Sequence, residues 1–114
     1  MAGLSEAQLQ SQCVIWMRNE KPETRGLFFA ITNNSENIGR AMQRKSMGLI
    51  PGVADTCFLW RGEAYFIEFK TPEGNQSPEQ KQWQKTIEKH GIEYYIVRSF
   101  EQFKNLIENV QKKS

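Results

Sequence analysis

The sequence predicts an α/β fold: a mixed central sheet flanked by helices, in the order α-β-β-β-α-β-α. Two observations carry this. Ser-x-x-Gln boxes at Ser5/Gln8 and Ser77/Gln80 open stretches with helical spacing of apolar residues. Short β-branched and aromatic runs alternate with those stretches, among them "LFFAIT", "YFIEF" and "IEYYIVR". Helices and strands mixed along one chain call for a sheet with helices packed on its faces. At 114 residues the chain is expected to form one domain, 1–114, with a hydrophobic core that needs no staples.

The elements follow in order. The first helix starts at Ser5, with Leu4 and Leu9 placed as a hydrophobic staple. Leu9, Cys13, Trp16 and Met17 share one face, and Asn19 with "KPETRG" ends the helix. Leu27 to Thr32 reads as a short buried strand, and "NNSENIG" as a loop. "RAMQRKSMG" reads as a helical turn closing at Gly48. Ile50 to Lys70, "IPGVADTCFLWRGEAYFIEFK", reads as a β-hairpin turning at Arg61-Gly62, where Gly supplies a positive φ. Ser77, Pro78 and Gln80 start the next helix, which runs to His90 and stops at Gly91. A strand over "IEYYIVR" follows. Ser99 and Gln102 open a last helix with Phe103, Leu106, Ile107 and Val110 on one face.

Composition narrows the function classes. Apolar residues make up 39% and charged residues 25%, and the net charge is +2. That is ordinary for a soluble globular protein, and no global basic field announces nucleic acid. The cysteines, Cys13 and Cys57, lack CxxC spacing and read as free, buried thiols in a reducing, cytoplasmic setting. "MAGLSEAQLQ" has neither the basic nor the apolar region of a signal peptide. No apolar run approaches the roughly 18 residues of a membrane span.

The hairpin carries charges where strands deplete them: Asp55, Glu68 and Lys70. With Arg61-Gly62 as the turn, Trp60 pairs with Glu63 and Asp55 falls opposite Glu68. Opposed Cβ atoms lie about 4.5–5.5 Å apart. Lys70, two residues beyond Glu68, shares its face. Two carboxylates so close repel each other unless a cation bridges them, and oxygen ligands favour Mg²⁺ or Mn²⁺. Such a cation activates water and stabilises charge on a phosphate oxygen. Lys70 could orient or help deprotonate that water. The plain alternative is a structural ion pair of Lys70 with Asp55 or Glu68, the commoner meaning of a bare D…ExK match. The interruption of apolar strands and the register of the two acids weigh toward the cation.

"PGVAD", twelve residues, "EFK", and then "SPEQKQWQKTIEKHGIEYYIV" together resemble the PD-(D/E)XK nuclease superfamily. More narrowly, they resemble its VRR-NUC domain, the virus-type replication-repair nuclease module. The resemblance runs from about Ser5 to about Glu108, and the compact length is similar to stand-alone viral and bacterial members. It implies a restriction-endonuclease-like core and metal-dependent phosphodiester hydrolysis. Asp55 and Glu68 would be metal ligands, Lys70 the catalytic lysine, and the backbone carbonyl of Phe69 a further ligand. Glu6 matches an acid that reaches the metal or its waters, and Gln80 a glutamine bordering the active site. In one departure, Ala54 stands where members usually carry Pro before the aspartate. The small relatives resemble junction-resolving enzymes, which implies branched or four-way-junction DNA as partner. A two-fold homodimer would make the paired cuts.

Each supporting residue has a second meaning. Glu6 suits a helix N-terminus by charge alone, and Gln80 completes a capping box. Asn33 and Asn34 could contact DNA or form a turn. Arg40, Arg44 and Lys45 could hold phosphate or form a solvated face. His90 reads as a helix end rather than a base. Trp60 could stack on a base or pack on its neighbours, and Trp60, Phe58 and Met47 are candidates for a dimer contact. The competing functions are a flap- or single-strand-processing nuclease, a restriction-like enzyme, and a non-catalytic nucleic-acid-binding module on the same fold.

Overall fold

A computed structural model describes residues 3–32 and 46–113. The elements are α1 (Glu6–Glu20), β1 (Phe28–Ala30), β2 (Thr56–Trp60), β3 (Glu63–Phe69), α2 (Pro78–Glu88), β4 (Glu93–Val97) and α3 (Phe100–Lys112). This is the expected order. The strands form one sheet, β1-β2-β3-β4. β1 with β2 and β2 with β3 run antiparallel, whereas β3 and β4 run parallel and are joined through α2.

Local chemistry sets the helix starts. The Ser5/Gln8 and Ser77/Gln80 boxes are both closed reciprocally, side chain to backbone in each direction. At Ser99 the hydroxyl accepts from the Gln102 N–H, while the Gln102 side chain turns to the Arg98 N–H instead. α2 ends two residues before His90. Gly91, at φ +76°, lets the Ile92 N–H return to the Ile87 carbonyl, closing the helix end. His90 is an exposed turn residue there.

Alternation along the strands builds two layers. One sheet face carries Phe58, Tyr65, Ile67, Phe69 and Val97, packed against Leu9, Cys13 and Met17 of α1 and Phe103, Ile107 and Val110 of α3. The other carries Phe66, Tyr94 and Ile96, packed with Ala54 against Trp83 and Ile87 of α2. Cys13 and Cys57 are free and buried.

Some expectations change. β1 is an edge strand with Phe29 44% exposed, rather than a buried one. Among the described residues its only strand neighbour is β2, so one side of the run faces outward. Leu4 is exposed, so the staple is not a buried contact. Phe58 is fully buried and stacks with Trp60, which takes Phe58 out of any dimer surface. Trp60 is half-buried against that core, while Met47 is 74% exposed. The "NNSENIG" loop and most of "RAMQRKSMG" lie outside the described residues.

Candidate active site

The hairpin turn has the geometry its sequence requires: Arg61 at φ 48° and Gly62 at φ 83°. Two positive φ values match the right-handed twist of the strands and fix a two-residue loop. The ladder then runs from Trp60↔Glu63 to Thr56↔Ile67. Asp55 and Glu68 occupy the next rung, just past the end of β2.

Asp55 is held by two hydrogen bonds and by the packing of the loop that leads into it. Its carbonyl accepts from the Ile31 N–H at 2.8 Å. Its Oδ2 accepts from the Phe69 N–H, also at 2.8 Å. The loop before it is pressed onto the first turn of α2: a Cβ added at Gly52, φ +87°, would lie 2.3 Å from the Glu79 carbonyl oxygen. Gly52→Ala therefore combines a backbone clash with a left-handed conformation. It is expected to destabilise the protein by about 2–4 kcal/mol. Chemical denaturation checks this, and a loss under about 0.5 kcal/mol, the usual size of a neutral surface change, would refute the contact.

Glu68 has no solvent-exposed surface. Its Oε1 accepts from the Tyr94 hydroxyl at 2.6 Å. Its Oε2 is buried without a hydrogen-bond partner among the described residues. An unpartnered buried acceptor costs about 1–3 kcal/mol, more when charged. Burial raises the Glu68 carboxyl above its usual range; Tyr94 and then Lys70 oppose this, and Asp55 and Glu6 add to it. Burial likewise raises Asp55, against the Phe69 N–H; Glu6 raises it further and Lys70 lowers it. Glu6, exposed on the first turn of α1, thus lies within electrostatic reach of both acids.

Lys70 is 8% exposed, and its N–H pairs with the Val97 carbonyl at 3.0 Å. Among the described residues the ion pairs are Lys104–Glu101 and Lys113–Glu93. The structural ion pair of Lys70 with Asp55 or Glu68 is therefore not formed. Arg98 donates to the carbonyls of Thr71 and Gly74, at 2.8 and 2.7 Å, and so clamps the loop that follows Lys70.

No three His, Cys, Asp or Glu side chains gather as a metal cage among the described residues. Mg²⁺ does not require one. It typically takes one or two carboxylates and keeps several waters. Asp55 and Glu68 are oxygen donors of that kind, and the open acceptor at Glu68 Oε2 fits such a cation.

The family model of the VRR-NUC domain matches residues 4–101. The chain belongs to the VRR-NUC family. It is thereby a nuclease-family protein with DNA as the expected partner, and nucleases of this kind usually use divalent metals. A solved structure, a "VRR_NUC domain protein", superposes with a TM-score of 0.79 at 20% identity, over 96% of this chain and 89% of that one. At that identity it supports the shared fold. No curated protein matches.

In this VRR-NUC chain the structure brings together Asp55, Glu68, Phe69 and Lys70, with Glu6 nearby. Gln80 is different: its amide oxygen accepts from the Ser77 N–H at 2.7 Å, and it makes no hydrogen bond to the acids or to Lys70. Asn33, Arg40, Arg44 and Lys45 lie outside the described residues. Two features were missed from sequence. Tyr94 and Gln76 stand behind Glu68. Arg18, Lys21 and Arg25 line a groove of about 500 Å³ between α1 and the edge strand β1, together with Phe29. Their cations lie scattered along a helix end and the turn after it, so spacing gave no signal.

Proposed function

We propose that this VRR-NUC chain is a metal-dependent, structure-selective DNA endonuclease that resolves four-way junctions as a homodimer. The observation that carries the hydrolytic reading is the convergence of Asp55, Glu68 and Lys70, with one Glu68 oxygen buried and unpartnered. Asp55, Glu68 and the Phe69 carbonyl would hold Mg²⁺ or Mn²⁺, with Glu6 reaching its waters. A cation so held lowers the pKa of water and neutralises charge on a phosphate oxygen. Lys70, not tied to either acid, orients the attacking water and stabilises negative charge developing on phosphorus-bound oxygens. Gln80 fixes the start of α2 through its amide oxygen, and would border the site from there. The groove of Arg18, Lys21 and Arg25 supplies phosphate contacts that position the duplex, alongside Asn33, Arg40, Arg44 and Lys45.

One chain carries one such site, whereas symmetric resolution takes two cuts. That favours a two-fold dimer. Met47, largely exposed to solvent, remains a candidate contact.

The deciding experiment offers labelled four-way junction, flap, splayed-arm and linear duplex DNA, with Mg²⁺, Mn²⁺ or EDTA. Light scattering at micromolar protein runs in parallel. Paired symmetric nicks by a dimer, only with metal, are expected. Cutting confined to flaps or single strands by a monomer would replace the junction reading with a processing nuclease. Equal cutting in EDTA would remove the metal.

A further inference from the structure

We infer that Tyr94 is a positioning residue that orients the Glu68 carboxylate and leaves Oε2 as its metal-ligating atom. This rests on the metal site proposed above. A glutamate has two equivalent oxygens and several rotamers, so an unrestrained one would present either oxygen. Here the choice is made by a third group. The Tyr94 hydroxyl donates to Oε1 at 2.6 Å, and Oε2 is left buried and unpartnered.

The direction of that hydrogen bond is itself imposed. A phenol has one hydrogen. Gln76 Nε2 donates to the Tyr94 oxygen at 3.3 Å, which occupies a lone pair and turns the phenolic hydrogen toward Glu68. Gln76 is fixed in turn, because the same nitrogen donates to Gln84 Oε1 at 2.9 Å. Gln84 then donates to Glu88 at 3.2 Å. The relay therefore runs from the exposed side of α2, through the loop before it, to β4 and then β3. The ring is set independently of the hydroxyl, by edge contact with Trp83 at 6.0 Å. Removing the oxygen alone should spare the packing.

The test is Mn²⁺ titration of the DNA-free protein, followed by calorimetry or by the loss of free-Mn²⁺ spin resonance. Wild type, Tyr94→Phe, Gln76→Ala and Tyr95→Phe are compared. Tyr95→Phe is a matched control: its hydroxyl donates to Glu93, on the same strand but the opposite sheet face. Outer partners of metal ligands typically contribute 10–100-fold to affinity. Tyr94→Phe is expected to weaken Mn²⁺ binding about tenfold or more. Gln76→Ala should weaken it less, and Tyr95→Phe not at all. Excess Mn²⁺ should return Tyr94→Phe to near wild-type kcat, a rescue that general loosening of the fold would not give. Unchanged affinity in Tyr94→Phe overturns the inference, as does an equal loss in Tyr95→Phe. If Tyr94→Phe does not fold, unchanged affinity in Gln76→Ala overturns it. Wild type that binds no Mn²⁺ removes the metal site itself, and the inference with it; tight wild-type binding with an indifferent Tyr94→Phe removes the inference alone.

Discussion

Asp55→Asn and Glu68→Gln are each expected to abolish metal-dependent DNA cleavage while leaving the protein folded. Charge stabilisation by a bound cation is worth several kcal/mol, and each 1.36 kcal/mol is tenfold, so the loss should be about 10³-fold or more. Neutral amides keep the shape but not the charge that attracts the cation. The fold should survive for a reason visible at the site. Burial raises both carboxyls, so the native protein keeps protons that the unfolded chain gives up in the ordinary carboxylate range. The stability contributed by these groups is fully present below that range. It is lost as pH rises through their raised folded values. Glu68→Gln removes its share of that slope. The metal-free variant should therefore be no less stable than wild type at pH 8, with a flatter dependence of stability on pH. Denaturation at pH 5 and pH 8, set beside single-turnover cleavage, checks both halves. Wild-type cleavage by either variant would sink the metal reading. A steep loss of stability at pH 8 in Glu68→Gln would instead make Glu68 a structural group.

Lys70→Ala is expected to lower the cleavage rate about 10²–10⁴-fold and to change DNA affinity little. Affinity for DNA is spread over many phosphate contacts, and Lys70 is mostly buried at the end of β3. Its position beside two acids, without an ion pair to either, suits chemistry better than backbone tracking. Lys70→Arg should not restore turnover if deprotonation matters, because a guanidinium keeps its proton. Single-turnover rates and fluorescence anisotropy at several salt concentrations separate the two effects. A variant that cuts normally would return Lys70 to a structural role. One that cuts poorly only because it binds poorly would make it a phosphate contact.

Features written in short stretches of chain were legible. The capping boxes at Ser5 and Ser77 need only residues three apart. The hairpin register follows from the two-residue turn, and with it the meeting of Asp55 and Glu68. What depended on distant chain segments was not legible. "LFFAIT" is apolar enough for a central strand, yet β1 lies at the edge because of strand order, which its own residues do not state. Tyr94 sits in a run that reads as plain strand. Its contact with Glu68, 26 residues away, depends on the parallel pairing of β3 with β4. Gln80 was legible as a cap and also matched a family position, and only the geometry shows its amide oxygen committed to Ser77.

The two buried cysteines give this protein a built-in clock. Thiol reagents attack the thiolate. Cys13 lies in the main core with its thiol pushed up to about 12 by burial, and Cys57, at 3% exposure, is raised for the same reason. In the closed protein both are protected twice, by lack of access and by lack of ionisation. Cys13 sits on the buried face of α1 and Cys57 on β2, so their alkylation rates time the opening of two different parts of the molecule. Run with and without Mn²⁺, that chemistry shows whether filling the acidic site tightens the strand that leads into it or the whole core.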